Sequence, residues 1–331
     1  MNAGMTQKFA YEIVKNGAVI SRCFSRTSSA VIPSELEGYP VVAIAPYAFS
    51  AHMDEKLLNG KIYTSEEELP ALCGNQLEEV LIPATVAKAG RYCFYNCKNL
   101  RKISFTNTLK DWGSGVFTGC HQVSELEVVM YKDEMSTLKE VLVELQEPLT
   151  VDYEYRDSEH GYKTKLVFPE YFEEGVENTP ARIISTEMHG SGMWFRNCFQ
   201  QRKFNFIEYD SRFFYAVSQE KFELLANMAE YRLRYPLGLL ESHAVHYKEY
   251  LMEHRLKYGR FLLKKKEIEA LMWFADLMFK ETLPMEEKMD WLSQMIEYAA
   301  QKEYQEAVSY LMDYQYRHKK VSKKKTFDFD L

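Results

Sequence analysis

"GRYCFYNCKNLRKISF", residues 90–105, is answered 23 positions later by "GSGVFTGCHQVSELEV", residues 113–128. Laid over one another, Gly90 falls on Gly113, Phe94 on Phe117, Cys97 on Cys120 and Leu100 on Val123. Apolar residues recur as Leu77, Val80 and Ile82, then Leu100, Ile103 and Phe105, then Val123, Leu126 and Val128. Within each set the last two stand two positions apart, which puts them on one face of a short strand. Val86, Ala89, Cys93 and Phe94 return as Leu109, Trp112, Val116 and Phe117, and are expected to line the inside of the chain's way back. Gly90 and Gly113 mark the bend. One such coil cannot bury its own apolar side, so neighbours must stack and share a core. Phe94 recurs as Phe117 because each coil needs the same plug.

An earlier, stretched copy precedes these. Ile32-Pro33 matches Ile82-Pro83, and Val41, Ile44, Ala48 and Phe49 match Val86, Ala89, Cys93 and Phe94. The insertion "HMDEKLLNGKIYTSEEELPALCGN" separates it from the regular coils. A period of roughly 20–29 residues with L-x-x-L-x-L spacing marks a leucine-rich repeat. The pattern I-P-x-x-V-x-x-x-G-x-x-x-F-x-x-C-x-x-L, carried by Ile82-Pro83, Val86, Gly90, Phe94, Cys97 and Leu100, resembles the BspA-like leucine-rich repeat family of bacteria over residues 9–130. The resemblance implies a stacked repeat fold and a protein-binding role, commonly on cell surfaces. It supplies no catalytic residues.

The 331 residues leave room for about two or three domains. Apolar residues make up 46% and charged residues 27%, as in soluble globular chains. A net charge of −7 gives no general reason to expect nucleic acid as partner. No apolar run reaches the roughly 18 residues of a membrane span, and "MNAGMTQKFAYEIVKNGAVI" lacks the unbroken apolar stretch of a signal peptide. The expected compartment is therefore the cytoplasm. Six cysteines in so long a chain do not make a disulfide framework.

The segment "MYKDEMSTLKEVLVELQE", residues 130–147, reads as a short helix hiding the open end of the repeat core. "LTVDYEYRDSEHGYKTKLVFPEY" alternates and carries turn residues at Ser158–Gly161, the pattern of a hairpin. From Ser218 onward the period is helical. Phe222, Leu225, Ala226, Ala229 and Leu233 form one stripe, and Ile268, Leu271, Met272, Ala275 and Phe279 another. Met289, Leu292, Ile296 and Ala299 form a third, and Tyr304, Ala307, Val308 and Leu311 a fourth, with Pro236 and Pro284 as punctuation. "MIEYAAQKEYQEAVSYLMDY" looks loosely like an ankyrin-type helical hairpin but lacks its turn signature. The expected fold class is α+β. A leucine-rich-repeat solenoid over 9–147 leads into a mixed segment at 148–215, an α-helical array at 216–318 and a basic tail at 319–331.

The candidate partner-binding face consists of outward strand positions: Glu79, Lys102 and Glu125 in one row, and Leu81, Ser104 and Glu127 in the next. Charges of alternating sign would attract across neighbouring strands. The plain reading of such a row is a solvated ladder worth little. The functional reading is a concave binding face of the kind repeat proteins use. His243, His246 and His254 lack metal-ligand spacing: the first two are three apart, and the third lies about 12 Å further along a helix. Cys93, Cys97 and Cys120 fall on core positions and read as packing, not as a metal or redox site. "HGSGMWFRNCF", residues 189–199, is the most chemically suggestive stretch, with His189, Arg196 and Cys198 as an anion pocket or a nucleophile–base pair. Its plain reading is a turn that docks the middle region. The C-terminal "RHKKVSKKKTFDFDL" holds six Lys or Arg within nine residues, thin support for nucleic acid or an anionic membrane. The expectation is a non-catalytic protein–protein interaction scaffold with no cofactor and no metal. The alternative is an enzyme or ligand-binding module around His189–Cys198.

Overall fold

A computed structural model describes residues 7–132, 134–156, 162–178 and 183–324. The chain is a mixed helix and strand protein with a helical C-terminal region. It divides into two compact units, Met1–His243 and Ala244–Leu331.

In the first unit the stacked coils contribute strands to two sheets. Strands Ser29–Val31, Glu79–Leu81, Lys102–Thr106, Glu125–Met130 and Leu149–Tyr155 lie side by side, all parallel, and Tyr162–Phe168 closes the six-stranded sheet antiparallel. Ala30, Val80, Ile103, Leu126 and Val151 stand in register across it, none more than 2% exposed. Burying one Val, Ile or Leu this fully contributes about 1.5–3 kcal/mol. The return legs place Gly17–Phe24, Tyr39–Ile44, Lys88–Ala89 and Asp111–Trp112 as parallel neighbours in the second sheet.

The plug residues form one column. The rings of Phe49 and Phe94 stack at 5.3 Å, and those of Phe94 and Phe117 at 5.8 Å with 3° between planes. The cysteines stitch the same column. The Cys97 thiol donates to the Phe49 carbonyl at 3.2 Å, and the Cys120 thiol to the Phe94 carbonyl at 3.0 Å. Backbone bonds link the coils as well: Phe49 N–H to Cys93 O at 2.9 Å, and Phe94 N–H to Val116 O at 3.1 Å.

Gly90 and Gly113 are repeated for close approach. A Cβ on Gly90 would lie 2.3 Å from the Pro46 nitrogen, and one on Gly113 would lie 2.2 Å from the Arg91 nitrogen. Neither has a positive φ. The backbone of the preceding coil therefore requires these glycines. The left-handed residues come two positions later, at Tyr47, Tyr92 and Gly115.

Helix Leu138–Glu144 follows the last regular coil and buries Leu138, Val141 and Leu142. The repeat sheet does not stop at residue 147. Leu149–Tyr155 pairs with Glu125–Met130 over six residues and is in turn half of the expected hairpin with Tyr162–Phe168. The turn expected at Ser158–Gly161 lies outside the described residues. Helix Phe222–Arg234 packs against Tyr162–Phe168. There Arg232 and Asp210, both fully buried, pair bidentately at 2.8 and 2.9 Å, while Arg232 Nη1 donates to the Thr164 hydroxyl at 2.7 Å.

The second unit is helical: Arg255–Lys265, Ile268–Lys280, Met285–Gln301 and Gln305–Lys324. The first of these packs on the next two, and the last two pack on each other. Trp291 sits at the centre, 1% exposed, and its indole N–H donates to the Arg255 carbonyl at 3.1 Å. Gly259 lets the indole approach: a Cβ there would lie 2.5 Å from the Met295 sulfur and 3.1 Å from the Trp291 ring. The stripe of Ile268–Lys280 is rotated from the sequence expectation, burying Phe274 and Met278 while Met272 is 40% exposed. The final helix continues to Lys324, through the first part of the basic run. Residues 325–331 lie outside the described residues.

Candidate binding face

Side chains alternate across a strand, so the residues between the buried ones all emerge on the same outer side of the six-stranded sheet. Glu79, Lys102, Glu125 and Thr150 form one row in register, and Leu81, Ser104, Glu127 and Asp152 the next. The fold thus brings all six expected residues together on one surface. Their exposures differ. Glu79, Leu81 and Glu125 are exposed, Lys102 and Glu127 are half-buried, and Ser104 is buried.

The electrostatics run diagonally. Lys102 reaches Glu127 Oε2 at 3.7 Å, in the next row, and the Ser104 hydroxyl donates to that same oxygen at 2.9 Å. Each exposed pair of this kind contributes at most about 1 kcal/mol, and its value is to fix side-chain positions. Val31 and Leu81 are in-register neighbours at the other end, each 45% exposed, and make a small apolar spot beside the charges.

The surface is wider than the sequence showed. Asp152 and Lys165, 3.6 Å apart, continue the second row, and Lys163 and Glu154, 3.8 Å apart, lie beyond it. The signal for them is the alternation in 149–155, a pattern that a hairpin and a further rung share and that here serves both.

His189, Arg196 and Cys198 have separate surroundings. Arg196 is fully buried, and its guanidinium donates to five carbonyls: Leu142 and Leu145, each at 3.0 Å, Glu147 at 2.8 Å, Gly192 at 3.3 Å, and Pro169. Burial lowers its pKa to about 10, partly countered by Tyr171 and Glu147. The expected anion pocket is filled by backbone, which makes Arg196 a tie between the helix Leu138–Glu144 with its following turn and the next segment. Gly190 and Gly192 are needed because a Cβ would meet Glu170 O at 2.5 Å and Pro169 O at 2.2 Å respectively. Cys198 is buried and donates to Trp194 O at 3.3 Å, and burial pushes its thiol up to about 12. His189 stacks on Phe172 at 4.7 Å, with Nε2 3.1 Å from Glu174. A cavity of about 660 Å³ lies elsewhere in the first unit, walled by Tyr155, Phe204, Phe206 and Leu237 with Glu134 and Lys203 at its side.

No group of three or more His, Cys, Asp or Glu that could hold a metal ion occurs among the described residues. Of the three candidate histidines, His246 lies 3.6 Å from Glu249, and the His254 ring lies tilted against Tyr250 at 4.4 Å with Nδ1 2.9 Å from the Tyr250 carbonyl. Cys93 and Cys97 are fully buried and Cys120 nearly so. Burial raises all three thiols, Cys120 to about 12. Among the described residues no helix is long and apolar enough to cross a membrane.

Comparison with known proteins accords with this geometry. Residues 70–140 match the family model described as a BspA type leucine rich repeat region (6 copies). None of the curated proteins matches the chain. Among solved structures, a leucine rich repeat protein of T. pallidum is 22% identical, with 38% of this chain and 70% of that one covered and a TM-score of 0.21. A leucine rich cell surface protein from Faecalibacterium prausnitzii is 16% identical, covering 39% of this chain and 36% of that one, TM-score 0.25. A leucine-rich repeat protein from Bacteroides ovatus is 14% identical, covering 39% and 49%, TM-score 0.20. With the register, the phenylalanine column and the family match in hand, residues 70–140 are a leucine-rich repeat region of the BspA type.

Proposed function

We propose that the chain is a non-catalytic protein-interaction scaffold. It would act as a solenoid whose outer sheet face, centred on Glu79, Leu81, Lys102, Ser104, Glu125 and Glu127, recognises a macromolecular partner. The observation that carries the reading is the register: strands from five coils hold their outward side chains in two straight rows. Such an array is preorganised, so binding need not order it. The repeat family itself suggests an interaction role. In this reading the helix Leu138–Glu144 and the strands after it cap the repeat region, and the helical unit from Ala244 is a second module.

The mixed charge of the face, acidic at Glu79, Glu125, Glu127 and Asp152 and basic at Lys102 and Lys165, fits a protein partner better than a polyanion. The test is affinity capture from extract of the native cell followed by mass spectrometry, with the wild-type chain beside a folded Leu81→Asp/Lys102→Ala/Glu125→Ala variant. A partner held by the first and lost by the second supports the reading. Equal retention by both places the interaction elsewhere.

A further inference from the structure

Among the described residues Ser29–Val31 is the outermost strand of the six-stranded sheet, and a side chain takes the place of a further neighbour. In a parallel pair, one residue of the added strand donates its N–H to the carbonyl before a given residue and accepts from the N–H after it. Gln7 does both with its side chain. Its Nε2 donates to Ser29 O at 2.6 Å, and its Oε1 accepts from Val31 N–H at 3.0 Å. The amide of Gln7 stands where the peptide group of a further strand would stand, opposite Ala30. On its other side the strand is already paired, with Ser28 O accepting from Glu78 and Glu79, and Ile32 N–H donating to Leu81 O. Gln7 comes from the other sheet: it immediately precedes strand Lys8–Val14.

A single half-exposed side chain is a weak closure for a sheet edge. Proteins close edges with charge, proline, bulges or covering elements because an open edge templates pairing. Here the closure is one flexible amide, with the Thr27 hydroxyl also donating to Ser29 O at 3.3 Å, and the residue beside it on the outer face, Val31, is 45% exposed.

We infer that Ser29–Val31 is a strand-addition site, and that an extended segment of a partner protein displaces the Gln7 amide and lies parallel to the strand. The chemistry of the occupant follows from the site. Its backbone repeats the bonds Gln7 makes. The residue opposite Ala30, which is fully buried, has to be small. The residue opposite Val31 is apolar and extends the exposed Val31–Leu81 spot. Main-chain bonds supply affinity and the alternate side chains supply selectivity, as in other strand-addition complexes. The inference extends the proposed scaffold role from the face of the sheet to its edge. Its test changes none of the six residues on which the proposed face is centred, so either can fail without the other.

The probe is a fluorescent peptide, Lys-Val-Ala-Val-Thr-Lys with both ends blocked, beside the same peptide N-methylated on the bonding edge. Anisotropy titrations compare the full-length wild type, Gln7→Ala and Val31→Pro. Proline is tolerated on an edge strand and removes the N–H that the peptide needs. The expected result is binding at least fivefold tighter to Gln7→Ala than to wild type, at least tenfold weaker to Val31→Pro, and none of the methylated peptide. Equal affinity for all three proteins overturns the inference, as does equal binding of the methylated peptide. Sedimentation of Gln7→Ala as a dimer that excludes the peptide also overturns it, in favour of pairing between two copies of the chain. Circular dichroism of both variants confirms that they are folded before titration.

Discussion

The backbone N–H of Phe117 donates to the Glu144 carboxylate at 3.1 Å. In the two preceding coils the equivalent N–H groups, of Phe49 and Phe94, donate to a carbonyl of the next coil. For Phe117 a side chain of the helix Leu138–Glu144 takes the place of that carbonyl. The end of the column is thus closed by one carboxylate. Glu144→Ala leaves that N–H without its partner and is expected to cost about 1 kcal/mol, near the low end for such a loss because Glu144 itself is exposed. Glu144→Gln keeps an acceptor and should cost less. Urea unfolding of the two variants reads the difference, and equal loss in both would deny the capping role.

The phenylalanine column is the second target. Phe94 has a ring on each side and no exposed surface. Phe94→Ala should destabilise the first unit by about 3–5 kcal/mol, and Phe94→Leu by clearly less. The measurement is denaturant unfolding followed by far-ultraviolet dichroism. A cost below about 1 kcal/mol for Phe94→Ala would mean that the coils do not share a core.

Gly113 offers a sharper steric test. A methyl group there meets the Arg91 backbone at 2.2 Å, with no flexible side chain to yield. Gly113→Ala is expected to cost about 1–3 kcal/mol or more from overpacking. Its helix-favouring character gives no compensation in this extended segment. An unchanged unfolding midpoint would contradict the close approach of adjacent coils.

The cysteines predict both reactivity and pH dependence. Cys23, Cys120 and Cys198 are pushed up to about 12, and Cys93 and Cys97 are raised further, in each case chiefly by burial. Iodoacetamide at pH 8 should therefore modify Cys73, which is half-exposed, and spare the other five until the protein is unfolded. A folded-state pKa above the unfolded value of 9 means that the folded chain binds more protons between pH 9 and 12. Stability from these groups is fully present below pH 9 and is lost progressively above it. Urea midpoints that fall from pH 8 to pH 10.5 agree with this. Rapid labelling of Cys97 or Cys120 in the native state would contradict it.

The repeat was legible because its chemistry is local and periodic. Phe94 and Phe117 announce one column, and the alternation at Ile103/Phe105 announces one buried face. The reason for Gly90 and Gly113 was not legible, since a close approach between coils depends on a backbone about one repeat away. Nor was the role of Arg196 as donor to five carbonyls: it reads as an anion binder until those partners, which lie 4–54 residues away in sequence, are seen. The run 149–155 was legible as a strand but not as part of the repeat sheet, because a hairpin and a further rung share the same alternation. The stripe of Ile268–Lys280 was misplaced because that helix is apolar on several faces, and periodicity then fails to choose between Met272 and Phe274.

The binding face exists only if the parallel strands from Ser29 to Tyr155 form one cooperative sheet. Native-state hydrogen exchange, read residue by residue, measures this directly. The ladder amides of Val80, Ile103, Leu126 and Val151 should share one opening free energy and one denaturant dependence, since they belong to a single unit. Val151 exchanging by a separate, easier opening than Ile103 and Leu126 would contradict the account.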